Sequence, residues 1–198
     1  MSIKLAKGQK ISLSKEAPDL SDLMVGLGWS VNKKKNKRRG LFGGIEHDYD
    51  LDASVIMCVD DRFVSGDDLV YYGKKHHKSG SVWSTGDDLT GGAVGDCETV
   101  MIKLDKVPEK YNRLVVVVNI YQAHSRKQDF GQVENAFIRL VNQKTNQEIA
   151  RYNLSENYEG MTAMIFGELY RRNGEWKFNA MGQARDVASL NALCDEYR

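Results

Sequence analysis

A glycine-rich stretch near the middle of the chain carries four acidic side chains within twelve residues: Asp87, Asp88, Asp96 and Glu98. Lys, Arg and His are all absent between Lys78 and Lys103, so no basic residue lies close in sequence. Asp and Glu side chains titrate near about 4 in water, and all four should be ionised at pH 7. A folded loop that holds them together therefore needs either full exposure to solvent or a bound cation.

The same segment contains the residue types that Ca²⁺ prefers. This hard cation takes about six to eight oxygen ligands from carboxylates, backbone carbonyls and water. Glycines such as Gly91 let the backbone turn so that its carbonyls point inward. The segment is not an EF-hand, because Leu89 and Gly91 stand where that loop has Asp or Asn. A solvated acidic turn is the alternative, and the segment alone does not decide between the two.

Asp50 and Asp52 form a second acidic cluster. Residues two apart in a strand face the same side, so these carboxylates should point together, with Leu51 opposite. An exposed strand end is the alternative. Two such clusters in one domain favour a hard, oxygen-liganded ion over a soft metal. Paired carboxylates can also do acid–base chemistry, but crowding among further acids fits cation binding better.

Other chemistry-bearing residues give weaker signals. The chain has no nucleophile elbow, phosphate-binding loop, dinucleotide fingerprint or zinc-protease motif, which predicts a protein that is not an enzyme. Adjacent His76 and His77 could bind a transition metal, but they should point apart, and we expect an exposed polar pair. The basic run 33–39 could contact phosphates of nucleic acid or anionic lipid, but a solvated loop is commoner and the run lacks interleaved aromatic residues. Overall charge is balanced, with 28 basic and 27 acidic residues, so no nucleic-acid partner is expected.

Short apolar or alternating runs between Gly, Asn and Asp turns predict an all-β protein, a β-sandwich of two antiparallel sheets. The predicted strands are 11–13, 24–29, 53–59, 69–72, 81–84, 99–104, 113–121, 136–142, 148–153, 161–172 and 176–181. A short C-terminal helix is predicted over 184–197 from the helical spacing of Val187, Leu190 and Leu193. We expect a sandwich domain over 1–182, with a basic, glycine-rich loop inserted at 33–44, and residues 183–198 packed on it as the helix.

The three cysteines are an odd number without CxxC spacing, which argues against a disulfide framework and favours a reducing compartment. The N-terminal residues contain no apolar run of signal-peptide length. The longest strongly apolar run is only 114–118, far too short to span a bilayer. A cytoplasmic protein is therefore expected.

Several separate motifs, in order along residues 2–182, resemble the TerD family of bacterial tellurite-resistance and general stress proteins. The segments that carry the resemblance are LGW (27–29), DLDAS (50–54), GSV (80–82), GDDLTG (86–91), GDCE (95–98), FGQVENAFIR (130–139), ARY (150–152) and MIFGELYR (164–171). The resemblance implies a β-sandwich that binds Ca²⁺ through acidic loops. Carried over to this sequence, the implied ligands are Asp50, Asp52, Asp87, Asp88, Asp96 and Glu98, with a carbonyl from Gly91.

Six carboxylates exceed what one ion needs, so one ion is expected and a second is compatible with the ligand set. Cys97 stands where the family often has a second Asp, and Asp88 where Asn is common; both departures bear on the second ion. The resemblance also implies work in a larger assembly with other tellurite-resistance or stress proteins, in the cytoplasm or at the inner face of the membrane.

Two further functions remain open on the sequence. One is a Ca²⁺-dependent adaptor that binds a partner, or anionic lipid through Lys33 to Arg39. The other, less favoured, is an enzyme that processes phosphoesters with the metal as Lewis acid. The sequence names no nucleophile or general base for it.

Overall fold

The chain folds into two six-stranded β-sheets that pack face to face. The computed structural model describes residues 2–31, 49–87, 95–154 and 156–198, apart from the side chain of residue 87. Sheet A contains, in spatial order, β1 (Ile3–Leu5), β10 (Gln147–Asn153), β9 (Val133–Asn142), β3 (Asp22–Val31), β7 (Glu98–Lys103) and β6 (Val82–Asp87). Sheet B contains β2 (Lys10–Ser12), β12 (Glu175–Arg185), β11 (Ala163–Arg172), β8 (Tyr111–Ile120), β4 (Leu51–Val59) and β5 (Leu69–Val70).

The sandwich predicted from sequence is confirmed. The strand pairs recorded among the described residues are antiparallel, except that β1 runs parallel to β10 at one edge of sheet A. β1 has only three residues and no alternation long enough to be read, which is why the sequence did not reveal it.

Alternation along the strands builds the core. In β4, Leu51, Val55 and Met57 point between the sheets, whereas Ile56 and Cys58 lie on the outer face of sheet B. A helix, α3 (Leu190–Asp195), covers that outer face through buried Leu193 and Cys194. Because β4 has apolar cover on both sides at its centre, its sequence is nearly continuously hydrophobic there.

The C-terminal helix is shorter than the prediction over 184–197. β12 continues through Ala184 and Arg185, which pair with β11. The helix begins only after Ser189, whose hydroxyl accepts a hydrogen bond from the Ala192 backbone N–H at 3.2 Å and caps the helix. Helical spacing of the apolar residues did not reveal this cap. The division of the chain at residue 182 stays a prediction.

Shorter elements were also not predicted. They are the one-turn helices α1 (Leu13–Glu16) and α2 (Ala123–Arg126), and three 3-10 turns at Gly66–Asp68, Leu104–Lys106 and Phe130–Gln132. Elements of three or four residues are too short to show a period. Helices long and apolar enough to cross a membrane are absent from the described parts of the chain. The predicted loop 33–44 lies outside the described residues.

Candidate metal centre

A cleft of about 330 Å³ opens at one edge of the sandwich, between β4 of sheet B and strands β6 and β7 of sheet A. Strand β5 pairs only with Val55 and Ile56, which leaves the first residues of β4 at the sheet edge. Three of the predicted ligands, Asp50, Asp52 and Glu98, line this cleft. The fold thus brings together carboxylates from both acidic clusters of the sequence.

The strand pattern explains how each carboxylate reaches the cleft. Glu98 is the first residue of β7 and shares the inward face with Val100 and Ile102, which buries it. Asp52 lies on the face of β4 opposite Leu51, as predicted from the two-residue period. Asp50 immediately precedes β4 and is exposed.

The pairing of β6 with β7 places residues 87 and 98 directly opposite each other. The acidic segment is thus flanked by two acidic residues that face each other across the strand pair. Like charges at directly opposed positions repel and destabilise such a pair. Asp88 and Gly91 lie outside the described residues, as does the side chain of Asp87, and their assignment as ligands stays a prediction.

Asp96 lies apart from the cleft. Its carboxylate accepts two hydrogen bonds from the Arg139 guanidinium, Nε to Oδ1 at 2.8 Å and Nη2 to Oδ2 at 2.7 Å. Arg139 projects from the outer face of sheet A, since its neighbours Ile138 and Leu140 belong to the core between the sheets. The structure separates Asp96 from Asp50, Asp52 and Glu98.

Basic and aromatic side chains that sequence proximity did not reveal also reach the cleft. Lys75 and the tyrosines Tyr72 and Tyr121 line it, and the Arg126 guanidinium lies 4.0 Å from the Asp50 carboxylate. Burial raises the pKa of Tyr72, and the nearby charges of Asp52 and Asp50 raise it further. These basic residues lie outside the interval 79–102, so the local sequence did not reveal them. Solvent and a bound cation are therefore not the only ways to balance the acidic charges, because Lys75 and Arg126 also contribute.

Two buried oxygen atoms beside Asp52 have no hydrogen-bond partner within the described part of the chain. They are Oγ of Ser54, a residue only 1% exposed, and Oδ1 of Asn119. Ser54 is two residues from Asp52 on the same face of β4, and Asn119 is the direct cross-strand partner of Asp52. Side chains opposite each other across antiparallel strands have Cβ atoms about 4.5–5.5 Å apart.

The cleft carboxylates and the oxygens of Ser54 and Asn119 are the types of ligand that a hard cation takes, but the described residues alone do not form a complete metal site. Residues 2–31, 49–87, 95–154 and 156–198 contain no group of three or more His, Cys, Asp or Glu side chains arranged to hold a metal ion. Carboxylate, hydroxyl and amide oxygens are ligands of Ca²⁺ rather than of soft metals. Cys97, the thiol within the segment, donates to the Trp29 carbonyl at 3.4 Å, and burial raises its pKa.

The expectation that His76 and His77 form an exposed polar pair is wrong for His77, which is 2% exposed. Its Nδ1 lies 2.7 Å from the Ser79 hydroxyl, and its Nε2 lies 3.4 Å from Asp68. Asp68 also accepts a 2.5 Å hydrogen bond from the Tyr111 hydroxyl. This polar network is buried in the fold, and Tyr111 joins it from β8, so neighbouring residues in sequence gave no sign of it.

The two packed sheets, with an acidic cleft at one edge, define a β-sandwich protein. The TerD domain family model matches residues 1–197, and the chain belongs to this family. It is 46% identical to the stress response protein SCP2 of Bacillus subtilis, with both chains covered over their whole length. It is 44% identical to the tellurium resistance protein TerD of Serratia marcescens, over 100% of this chain and 97% of the relative.

Solved structures share the fold. One is a homologue of telluride resistance protein (TerD) from Streptomyces coelicolor A3(2). It superposes on this chain with a TM-score of 0.62 at 21% sequence identity. The match covers 87% of this chain and 94% of that one. The structural match shows the shared fold, and the family model with the curated relatives confirms the predicted resemblance to the TerD family.

Proposed function

We propose that this protein is a non-enzymatic, calcium-binding stress protein that contributes to resistance to tellurite or other chemical stress. The stress and resistance role rests on relatives that cover the whole chain and are named stress response or tellurium resistance proteins. The calcium site rests on one observation above others: Asp50, Asp52 and Glu98, from two separate acidic clusters, line a single cleft.

The ligands proposed for the ion come from both sides of the cleft. Asp50 and Asp52 supply carboxylates from β4, and Glu98 supplies one from β7. The adjoining segment supplies Asp87, Asp88 and the carbonyl of Gly91, as the sequence predicts. Ser54 and Asn119 are not among the residues that line the cleft, but their buried oxygens lie on the same face of sheet B as Asp52, and we propose them as further donors.

Charge balance explains why the site favours a divalent ion. Three carboxylates line the cleft with one lysine, Lys75, and the Arg126 guanidinium lies 4.0 Å from Asp50, so these groups sum to a net charge of −1 before Asp87 and Asp88 are added. Two like charges about 4 Å apart repel by roughly 4 kcal/mol at an effective dielectric near 20. A bound Ca²⁺ supplies two positive charges and removes this repulsion, which stabilises the edge where the two sheets meet.

The protein would act together with other tellurite-resistance or stress proteins in the cytoplasm, with the charged rim of the ion-loaded cleft as the docking face. Binding to anionic vesicles, measured with and without Ca²⁺, tests whether Lys33 to Arg39 also attach the protein to lipid.

Thermal melting with chelator and with excess Ca²⁺ tests the proposal. A ligand at about 100 times its Kd stabilises the folded state by about 2.7 kcal/mol. For a chain of this size that corresponds to a rise in Tm of about 5–10 °C. Asp87→Asn should reduce this rise more than Asp67→Asn, because Asp67 pairs with Lys74 away from the cleft. Superimposable melting curves with and without Ca²⁺ would count against the proposal.

A further inference from the structure

The Arg139–Asp96 pair lies on the far side of sheet A from the cleft, yet it fixes the end of the acidic segment. In the sheet, Gly26 of β3 is paired with Arg139 on one side and with Thr99 on the other. The Arg139 side chain reaches across Gly26 to Asp96. A Cβ atom on Gly26 would lie 2.3 Å from Oδ2 of Asp96, so only glycine leaves room for the carboxylate there.

The pair has the geometry of a strong, specific ion pair. Two parallel N–H···O bonds of 2.8 and 2.7 Å make it bidentate, and the Asp96 side chain is 7% exposed. The hydrogen bonds that Arg139 donates to the Asp96 carboxylate raise the pKa of Arg139. Glu148 lies 3.6 Å from Arg139 and also 3.6 Å from Arg151. Both carboxylate oxygens of Asp96 accept hydrogen bonds from Arg139 on the outer face of sheet A.

The backbone around Asp96 is held to the same sheet. The Cys97 N–H donates to the Leu27 carbonyl at 2.7 Å, and the Cys97 thiol donates to the Trp29 carbonyl. Glu98 then pairs with Leu27 and turns its side chain to the inner face, toward the cleft. Within three residues the chain places one carboxylate on the outer face, on Arg139, and the next in the cleft.

We infer that Arg139 is a positioning residue for the calcium site and that Asp96 is its anchor rather than a ligand of the ion. This inference rests on the proposed function, because it assigns roles around that site. Arg139 neutralises the Asp96 carboxylate and keeps it out of the cleft. It also fixes the direction in which the Glu98 side chain points at the start of β7. It does not touch the ion.

Calcium titration calorimetry of chelator-treated protein distinguishes an anchor from a ligand. The proteins are the wild type, Asp96→Asn, Arg139→Met and the double variant. Loss of a group that orients ligands typically costs about 10–100-fold in metal affinity. We expect a loss of this size in each single variant and no further loss in the double variant, because both changes break one pair. Arg139→Lys should restore only part of the affinity, since lysine cannot make the bidentate contact.

Arg185→Met is the control, because Arg185 also pairs with a carboxylate, through Nε to both oxygens of Glu196 at 2.9 and 3.0 Å, in sheet B and the C-terminal segment. It should leave the Ca²⁺ affinity within about twofold of the wild type, the scatter expected for distant, independent sites. If Asp96→Asn weakens Ca²⁺ binding while Arg139→Met leaves it unchanged or tightens it, Asp96 is a ligand and the inference fails.

Amide hydrogen exchange without metal separates this inference from the proposed function. Arg139→Met should speed exchange at the Cys97 amide by tenfold or more, because losing the pair allows local opening there. This effect is measured without calcium. Unchanged exchange at Cys97 overturns the anchor even if the wild type binds Ca²⁺. A wild type that binds no Ca²⁺ overturns the positioning role together with the proposed function, while faster exchange would still show the anchor.

Discussion

Asn119 of β8 lies directly opposite Asp52 of β4, and its side-chain oxygen Oδ1 is buried without a hydrogen-bond partner in the described part of the chain. Ser54, the next residue on that face of β4, also has a buried hydroxyl without a partner there. A buried polar atom without a hydrogen bond costs about 1–3 kcal/mol. A fold that keeps two such oxygens beside a carboxylate is consistent with a cation that they help to hold.

Ser54→Ala tests that interpretation. In chelated protein we expect no loss of stability, or a gain of up to about 1 kcal/mol, because the substitution removes a buried hydroxyl that makes no hydrogen bond. With excess Ca²⁺ the same variant should show a smaller rise in Tm than the wild type. Differential scanning calorimetry in both conditions measures the two effects.

Ser81→Ala is the control for Ser54→Ala. Ser81 is equally buried, but its hydroxyl lies 2.6 Å from that of Ser79. Its removal should cost about 1 kcal/mol in both conditions and leave the Ca²⁺-dependent rise intact. A Ser54→Ala variant that behaves like Ser81→Ala would show that Ser54 has an ordinary structural role.

Glu98→Gln should remove a ligand while keeping the shape of the side chain. Glu98 is 5% exposed and lines the cleft from β7 of sheet A. We expect the Ca²⁺-dependent rise in Tm to fall by at least half. Glu168→Gln provides a comparison, because this buried carboxylate accepts from Asn179 at 3.0 Å and lies outside the cleft. An equal loss of the Ca²⁺ response in both variants would argue against the cleft.

The sequence allowed the fold and part of the site to be predicted, for identifiable reasons. Alternation in β4 predicted that Asp52 lies opposite Leu51, because a two-residue period is a local property of a strand. The roles of Arg139, Lys75 and Asn119 could not be predicted, since each depends on which strands become neighbours. The buried pairing of Asp96 with Arg139 joins residues 43 positions apart, and a local count of charges does not detect it.

The buried histidine predicts how stability depends on pH. Burial lowers the pKa of His77, against the opposing effect of Asp68. Below about pH 6.5 the unfolded chain therefore binds a proton that the folded chain does not, and stability falls as pH falls. The slope contributed by one proton is at most about 1.4 kcal/mol per pH unit.

Chemical denaturation between pH 7.5 and 5 measures this dependence. His77→Asn should show a shallower loss of stability than the wild type over that range. His124→Asn is the control, because His124 is exposed and pairs with Asp186 at the surface. Parallel pH profiles for the wild type and His77→Asn would contradict the assignment to His77.

Leu193→Ala tests whether the C-terminal helix stabilises sheet B independently of the calcium site. Leu193 is fully buried against the outer face of that sheet, together with Ile56 and Val115. Truncating a buried leucine typically costs about 2–5 kcal/mol, because a cavity remains. Denaturation with and without Ca²⁺ should show this loss in both conditions, with the Ca²⁺ increment unchanged. A lost increment would mean that the helix is coupled to the cleft.

Isothermal titration of chelator-treated protein with Ca²⁺ measures both the affinity of the proposed site and the number of ions that it binds. We expect saturable binding of one ion, or of two if the proposed ligands divide between two sites. Binding should weaken at least tenfold in Glu98→Gln, as expected for loss of a charged ligand. An absence of saturable binding in the wild type, or unchanged binding in Glu98→Gln, would show that the cleft is not a calcium site.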